Sequence, residues 1–310
     1  MCASALFDLS GRVALVTGGG SGIGFVIAQG LAANGAKVYI SGRGDQDFLD
    51  ANAQNWQLKL TLLTMNVFDK RDILAATETI ARADGHLDIL VNSADQVGPC
   101  SHWMSDDTSA NNSGAEAFGK GLFQEDQGEW EDLFAINAYS PFFVTSAFMG
   151  LLAKGAEKHG AWTANVINVT SMSASVKVAQ NHFAYNAAKA ANTHLTKMLA
   201  TELARRKIPV RVNAIAPGVF ESNMTRELPD EGGELSDKEG EPSDEGGKVL
   251  DKGELEIVAR GMHPVPMGRP GSTNEIAGTA LWMASGAGGY LNGQEILIDG
   301  GFTAVNPSRY

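Results

Sequence analysis

The sequence predicts an α/β fold of the doubly wound kind, with about seven parallel strands in a single domain over residues 1–310. Two observations carry that expectation. A short β-branched run, Val13 to Thr17, leads directly into the glycine cluster Gly18-Gly19-Gly20-Ser21-Gly22-Ile23-Gly24 and then into a helical pattern. Beyond it, strand-length apolar runs alternate with helix-length segments, the rhythm that builds a parallel sheet with right-handed crossovers.

In chain order, the helix after the glycines places Ile23, Val26, Ile27 and Leu31 on one face and stops at Gly35. Lys37 to Ser41 reads as the second strand, Leu60 to Val67 as the third and Leu87 to Asn92 as the fourth. Val166 to Thr170, Val210 to Ala216 and Glu295 to Asp299 complete the set. Two segments break the rhythm. Residues 96–127 are rich in Ser, Asp, Asn and Gly, and residues 229–247 have too little apolar surface to fold alone. Both read as surface insertions.

Of the 310 residues, 44% are hydrophobic and 19% charged, which is ample material for one large core. No run of about 18 uncharged apolar residues appears, and Met1 to Ser10 lacks the basic start and apolar stretch of a leader. The expectation is a soluble, cytoplasmic protein with no membrane contact. Cys2 and Cys100 are the only cysteines and the six histidines show no ligand spacing, so neither a disulfide framework nor a metal site is expected. The net charge of -12 is unevenly placed. Glu227 to Glu256 holds twelve acids against Lys238, Lys248 and Lys252. Elsewhere no basic stripe follows a phosphate backbone, and nucleic acid is not an expected partner.

Glycines between a strand and a helix let the backbone approach a pyrophosphate, whose charge is stabilised by the free amides and positive dipole of the helix N-terminus. Tyr185 and Lys189 stand four apart on a helical pattern, which stacks a phenol against an ammonium. A free phenol titrates near pH ~10, and lowering that by about three units takes roughly 4 kcal/mol of preference for the phenolate. By itself the spacing is common on surface helices.

Taken together, Thr17-Gly18-x-x-x-Gly22-x-Gly24, Asn92, Asn137, Ser171, Tyr185-x-x-x-Lys189 and Pro217-Gly218 resemble the short-chain dehydrogenase/reductase family, in order and spacing along almost the whole chain. The resemblance implies a Rossmann fold and a catalytic set of Ser171, Tyr185, Lys189 and Asn137. It implies a dinucleotide held by Thr17, Gly18, Ser21, Gly22, Ile23 and Gly24, by Arg43, Asn66, Val67 and Asn92, and by Tyr185, Lys189, Pro217, Gly218 and Val219. In the roles it supplies, Tyr185 protonates a carbonyl oxygen as hydride arrives, and Lys189 lowers the phenol pKa and bonds the nicotinamide ribose. Ser171 polarises the oxygen, and Asn137 holds a water that relays protons to Lys189. The plainer alternatives are a helix cap for Ser171 and a turn-forming side chain for Asn137.

Cofactor choice rests on the end of the second strand, where an NAD-selective fold places an acid against the ribose. Here Gly42 stands there and Arg43 follows, a partner for a 2′-phosphate, so NADPH is the expected cofactor. The alternative leaves Arg43 in solvent and brings Asp45 or Asp47 to the ribose. Three departures from the family pattern stand out. Asn92-Ser93-Ala94-Asp95 replaces Asn-Asn-Ala-Gly, with an expected weakening of NADPH binding; Asn66 replaces an adenine-contacting aspartate; and the loop from Ser171 to Tyr185 is about one residue longer.

The resemblance also implies a substrate lid over residues 219–262, containing the acidic insertion 229–247. Val219, Phe220, Met224, Val265 and Met267 are either its apolar wall or ordinary core and hinge residues, while nothing in the sequence places Trp103 and Phe118. The implied protein is a homodimer or homotetramer that reduces a ketone or aldehyde of a small-molecule or acyl substrate with NADPH. Leu6 to Gly24 and Asp299-Gly300-Gly301 resemble 3-oxoacyl-thioester reductases, and a fungal secondary-metabolite ketoreductase fits the insertions equally well. Two alternatives stay open: an NAD-dependent alcohol or steroid dehydrogenase, and a non-catalytic NADPH-binding scaffold or sensor.

Overall fold

In the computed structural model, residues 3–42, 60–159, 164–220 and 262–306 are described. Seven strands form one sheet within them: β1 (Val13–Thr17), β2 (Lys37–Gly42), β3 (Leu60–Thr64), β4 (Ile89–Asn92), β5 (Ala164–Val169), β6 (Val210–Pro217) and β7 (Glu295–Ile298). All neighbours pair parallel, in the order β3-β2-β1-β4-β5-β6-β7. The helices are α1 (Ala3–Phe7), α2 (Gly22–Ala33), α3 (Lys70–Ala83), α4 (Ala115–Phe123), α5 (Gln127–Phe134), α6 (Ser140–His159), α7 (Phe183–Arg205), α8 (Thr273–Ala284) and α9 (Phe302–Val305).

A parallel sheet needs helices on both faces, and the side-chain alternation of β1 supplies both layers. Val13 and Leu15 join Ile73, Ile80, Phe148 and Leu152 from α3 and α6 on one face. Ala14 and Val16 join Ile27, Leu31, Ile276 and Met283 from α2 and α8 on the other. Helix α8 starts at the capping box of Ser272 and Glu275, which satisfies two first-turn amides. The helical stretch Gln127–His159 is long and apolar enough to cross a membrane, yet 61% of its apolar window is buried inside the protein, as befits a core helix.

The third strand ends at Thr64, three residues short of the expected Val67. Its register pairs Thr64 with Gly42, the last residue of β2, and Met65 and Val67 beyond it lie in the core. The segment 96–127 folds against the body of the protein, with Trp103 meeting Phe118 edge to face at 5.3 Å. It also grips the loop that precedes α7. Ser101 N donates to the Asn181 carbonyl at 2.8 Å, and Asn181 Nδ2 donates to Ser105 Oγ at 2.6 Å. In that loop Gln180 and Asn181 take φ of 51° and 64°, in the left-handed region.

At the opposite, N-terminal edge of the sheet, Asp88 is wholly buried at the entry to β4. Its Oδ2 accepts the Val13 amide at 2.8 Å, and its carboxylate lies 3.3 to 3.4 Å from His86 Nε2, His159 Nε2 and Arg12 Nη1. Sequence spacing did not reveal this grouping, which brings three potential metal ligands within 4.8 Å of one another. Arg12 and, beside His86 at 3.2 Å, Lys158 already supply it with positive charge. Asp88→Ala removes the acceptor and leaves a buried amide and a guanidinium without their partner, a loss of about 3 kcal/mol. Thermal unfolding should show a clearly lower midpoint for Asp88→Ala and a smaller drop for Asp88→Asn. Equal midpoints in all three proteins would mean the network contributes nothing.

Candidate active site

Strands β1 and β4 are neighbours although β2 and β3 intervene in sequence, so the chain reverses its winding between them and a crevice opens at their C-terminal ends. Gly18 and Gly22, with φ of +63° and +51°, turn the backbone there into α2. A Cβ on Gly18 would stand 2.8 Å from the Ala94 Cα, and one on Gly24 would collide with the Gly18 carbonyl oxygen. Only glycine fits either place. Ser21 stands at the N-cap of α2 with no side-chain capping bond, beside the first-turn amides and the positive end of the helix dipole.

Several of the residues expected to hold a cofactor face inward. Thr17 is buried, and its hydroxyl accepts the amides of Ser93 and Ala94 at 3.1 and 3.2 Å, tying the end of β1 to the exit of β4. Asn92 donates to Asn168 Oδ1 at 2.8 Å and Thr145 Oγ1 at 3.1 Å, and its own buried Oδ1 has no protein partner. Val67 lies in the core on one face of the sheet, and Ile23 packs against the core on the other. Asn66 Oδ1 accepts the Phe68 amide at 3.2 Å, a local turn. Pro217 ends β6, the Gly218 amide donates to the Ile298 carbonyl at 2.9 Å, and Val219 packs with Met172, Val176, Val265 and Phe302. Phe220 is buried against Gly271, while Met267 is exposed. Val219, Phe220 and Val265 are thus packing residues in this structure. Arg43, Asp45, Asp47, Met224 and the acidic insertion 229–247 lie outside the described residues.

Of the four residues expected to do chemistry, Ser171, Tyr185 and Lys189 lie together, while Asn137 is hydrogen-bonded to Gln96 and Asn192. Tyr185 and Lys189 project from the first turns of α7, and Ser171 leaves β5 beside them. The Ser171 hydroxyl accepts the Ser173 amide at 3.1 Å, so it caps the short turn Met172–Ala174, and it also hydrogen-bonds Tyr185. The capping reading of that serine is the one seen directly here. Asn137 sits in a π-helical turn, Ala135–Tyr139, between α5 and α6; such irregular turns frequently mark functional sites. Its side chain donates to the Gln96 carbonyl at 2.8 Å and accepts the Gln96 amide at 3.1 Å, while its carbonyl accepts Asn192 Nδ2 at 3.0 Å. Lys189 is 1% exposed and donates to the Val169 carbonyl at 3.1 Å.

Asp95 completes the group. Its Oδ2 lies 3.0 Å from Lys189 Nζ and accepts the Tyr185 hydroxyl at 3.2 Å. The expectation that Lys189 lowers the phenol pKa is overturned here. Tyr185 is pushed well above the ordinary phenol value, first by burial and next by the Asp95 charge, with the Ser171 bond pulling the other way. Sequence reading noticed Asp95 as a departure in a cofactor loop and missed its partners. The available signal was topological: the end of β4 lies beside the end of β5, where Ser171 begins. His182, at the N-cap of α7 with its ring 6.5 Å from Tyr185, and Cys100, 3.6 Å from His182 Nε2, also adjoin the site. Burial, then the Glu125 charge, holds that thiol at about 11, so it stays protonated.

Glycines whose Cβ positions are filled by backbone, a helix N-terminus beside them, an unpartnered Asn92 oxygen and a buried ammonium form a donor and acceptor set that fits a dinucleotide. Comparison with known proteins agrees. A family model described as short chain dehydrogenase matches residues 12–232, and one described as Enoyl-(Acyl carrier protein) reductase matches residues 248–303. The short-chain dehydrogenase/reductase VdtF of Byssochlamys spectabilis is 33% identical, with 100% of this chain and 98% of that protein covered. The rhamnolipids biosynthesis 3-oxoacyl-[acyl-carrier-protein] reductase of Pseudomonas aeruginosa is 31% identical over 96% of this chain and 98% of its own. Among solved structures, the Pseudomonas aeruginosa RhlG/NADP active-site complex superposes with a TM-score of 0.74 at 30% identity, covering 96% of this chain and 98% of that one. The chain belongs to the short-chain dehydrogenase/reductase family.

Proposed function

We propose that the protein is an NADPH-dependent reductase of a ketone or aldehyde carbonyl, on a small molecule or an acyl thioester. The observation that carries this reading is the convergence of Ser171, Tyr185 and Lys189 beside the glycine turn at the β1–β4 crevice. The bound dinucleotide supplies the hydride. The side chains do the rest. Ser171 donates a hydrogen bond to the carbonyl oxygen as negative charge gathers there, and Tyr185 gives that oxygen its proton. Lys189, buried and positively charged, orients the phenol and binds the ribose; Asn137 holds the chain at Gln96 in place behind them.

NADPH is favoured over NADH by Arg43 and by the lack of an acid at Gly42. Support also comes from the NADP-bound state of the Pseudomonas relative. The 3-oxoacyl reductase among the relatives and a fungal member at 33% identity support acyl and small-ketone substrates as the first to try. We infer a homodimer or homotetramer in the cytoplasm, and the exposed Tyr139 and Phe142 near the start of α6 suit a contact between copies.

Cofactor oxidation on a panel of ketones and 3-oxoacyl thioesters, with NADPH and NADH compared, tests the proposal. Turnover should depend on Tyr185: Tyr185→Phe should lower kcat by about 100-fold or more with little change in cofactor affinity. NADPH binding without turnover on the whole panel would favour a scaffold instead. Among the described residues a Cβ on Gly42 meets nothing within 4 Å. The double change Gly42→Asp and Arg43→Ser should move the NADPH/NADH ratio of kcat/KM toward NADH by about tenfold or more. An unchanged ratio would dismiss the assignment to Arg43.

A further inference from the structure

We propose that Asp95 is a positioning residue that holds Lys189 and keeps Tyr185 in its proton-bearing form, so that reduction keeps its proton donor into the alkaline range and oxidation needs a higher pH to set in. The inference rests on the reductase reading and adds a pH range to it. Among the described residues, four groups face the Tyr185 hydroxyl or ring: Asp95 from the loop after β4, Ser171 from the end of β5, and Lys189 and His182 from α7 and its cap. Of these four, Asp95 is the anion. Its Oδ2 stands 3.2 Å from the phenol oxygen, the atom that would bear the charge of a phenolate, whereas Lys189 Nζ lies 5.4 Å from the ring centroid. The same carboxylate oxygen takes up the ammonium at 3.0 Å. The cation that would favour the phenolate is therefore paired with an anion that stands 3.2 Å from the phenol oxygen and opposes it.

The hydrogen bond sharpens the asymmetry. Tyr185 donates to Asp95, and that bond exists only while the phenol keeps its proton; once deprotonated, two anions would share the same space. In reduction, hydride adds to the carbonyl carbon, the C=O π pair becomes the alkoxide, and the alkoxide takes the Tyr185 proton. The phenolate left behind faces the Asp95 carboxylate, which drives its reprotonation from solvent; Asp95 is 19% exposed and so connects the pair to water. In oxidation the order reverses, and the phenolate must exist before the alcohol gives up its proton. Asp95 opposes that state. Burial acts in the same sense as Asp95, and the Ser171 bond acts against both.

The sign is therefore fixed. With Asp95 in place, reduction persists far into the alkaline range and oxidation at neutral pH is suppressed. The test uses the full chain and the variants Asp95→Gly and Asp95→Asn, the second of which keeps the volume. Tyr185 is first titrated without cofactor or substrate by ultraviolet phenolate absorbance, with the matching Tyr185→Phe protein subtracted in each background. We expect Asp95→Gly to titrate at least about one pH unit lower than the parent, with Asp95→Asn shifted in the same direction. Second, kcat/KM is measured against pH in both directions. Oxidation at pH 7 should rise by about tenfold or more in Asp95→Gly, and the alkaline fall of reduction should begin at lower pH. A Tyr185 titration that does not move in either variant overturns the inference, whatever the enzyme turns over. A titration that moves as expected in a protein without turnover supports the electrostatic assignment and instead defeats the reductase reading.

Discussion

At the C-terminal ends of β1 and β4, the backbone of Gly18 lies so close to Ala94 that the space of a single Cβ is already taken, and Gly24 closes on the Gly18 carbonyl from the helix side. The Thr17 hydroxyl, accepting the Ser93 and Ala94 amides, holds the two chain segments in that contact. This backbone approach fixes where α2 starts, and so where a helix N-terminus meets the crevice. It fixes equally where residue 95 emerges from β4. Both the cofactor cradle and the acid beside the proton donor descend from one close contact that tolerates no side chain.

The chemical half of the site hangs from α7. Lys189 reaches the Val169 carbonyl at the end of β5, so helix and strand are joined through the group that also faces Tyr185. Behind it, the π turn at Ala135–Tyr139 directs the Asn137 side chain onto the backbone of Gln96, one residue from Asp95. The segment 96–127 then bonds to Asn181 in the loop before α7. Residues 95 to 101 are thereby held at both ends against catalytic machinery, which is why a polar insertion far from any sheet bears on the position of one carboxylate.

Local signals account for what was legible in the sequence. Buried parallel strands are continuous apolar runs, the glycine turn is contiguous, and Tyr185 and Lys189 are one helical turn apart, so each declares itself within a short window. Their shared site was legible only through the family resemblance. What was missed depends on partners distant in sequence. Asp95 meets Tyr185 and Lys189 about ninety residues on, and Asp88 meets His159 from a different element altogether. Thr17 and Asn92 also satisfy buried backbone and side-chain groups, internal bonds that the motif alone does not disclose. The third strand was read too long because its apolar pattern continues into the core beyond Thr64, the last residue that pairs with β2 among the described residues.

Asp88 and Asp95 flank the same four-residue strand, and the contrast between them shows why one is read as structural and the other as functional. Asp88 is wholly buried, yet an amide, a guanidinium and two imidazoles surround it at the edge away from the crevice, so its charge is compensated by groups that do no chemistry. Asp95 compensates a buried ammonium that would otherwise have a single backbone carbonyl among its protein partners, so it too stabilises the fold. Stability measurements alone would therefore score the two acids alike. They part at Tyr185: a carboxylate that only balanced Lys189 would have no need to accept the phenol hydrogen bond as well, and the group that donates that bond is the proposed proton donor.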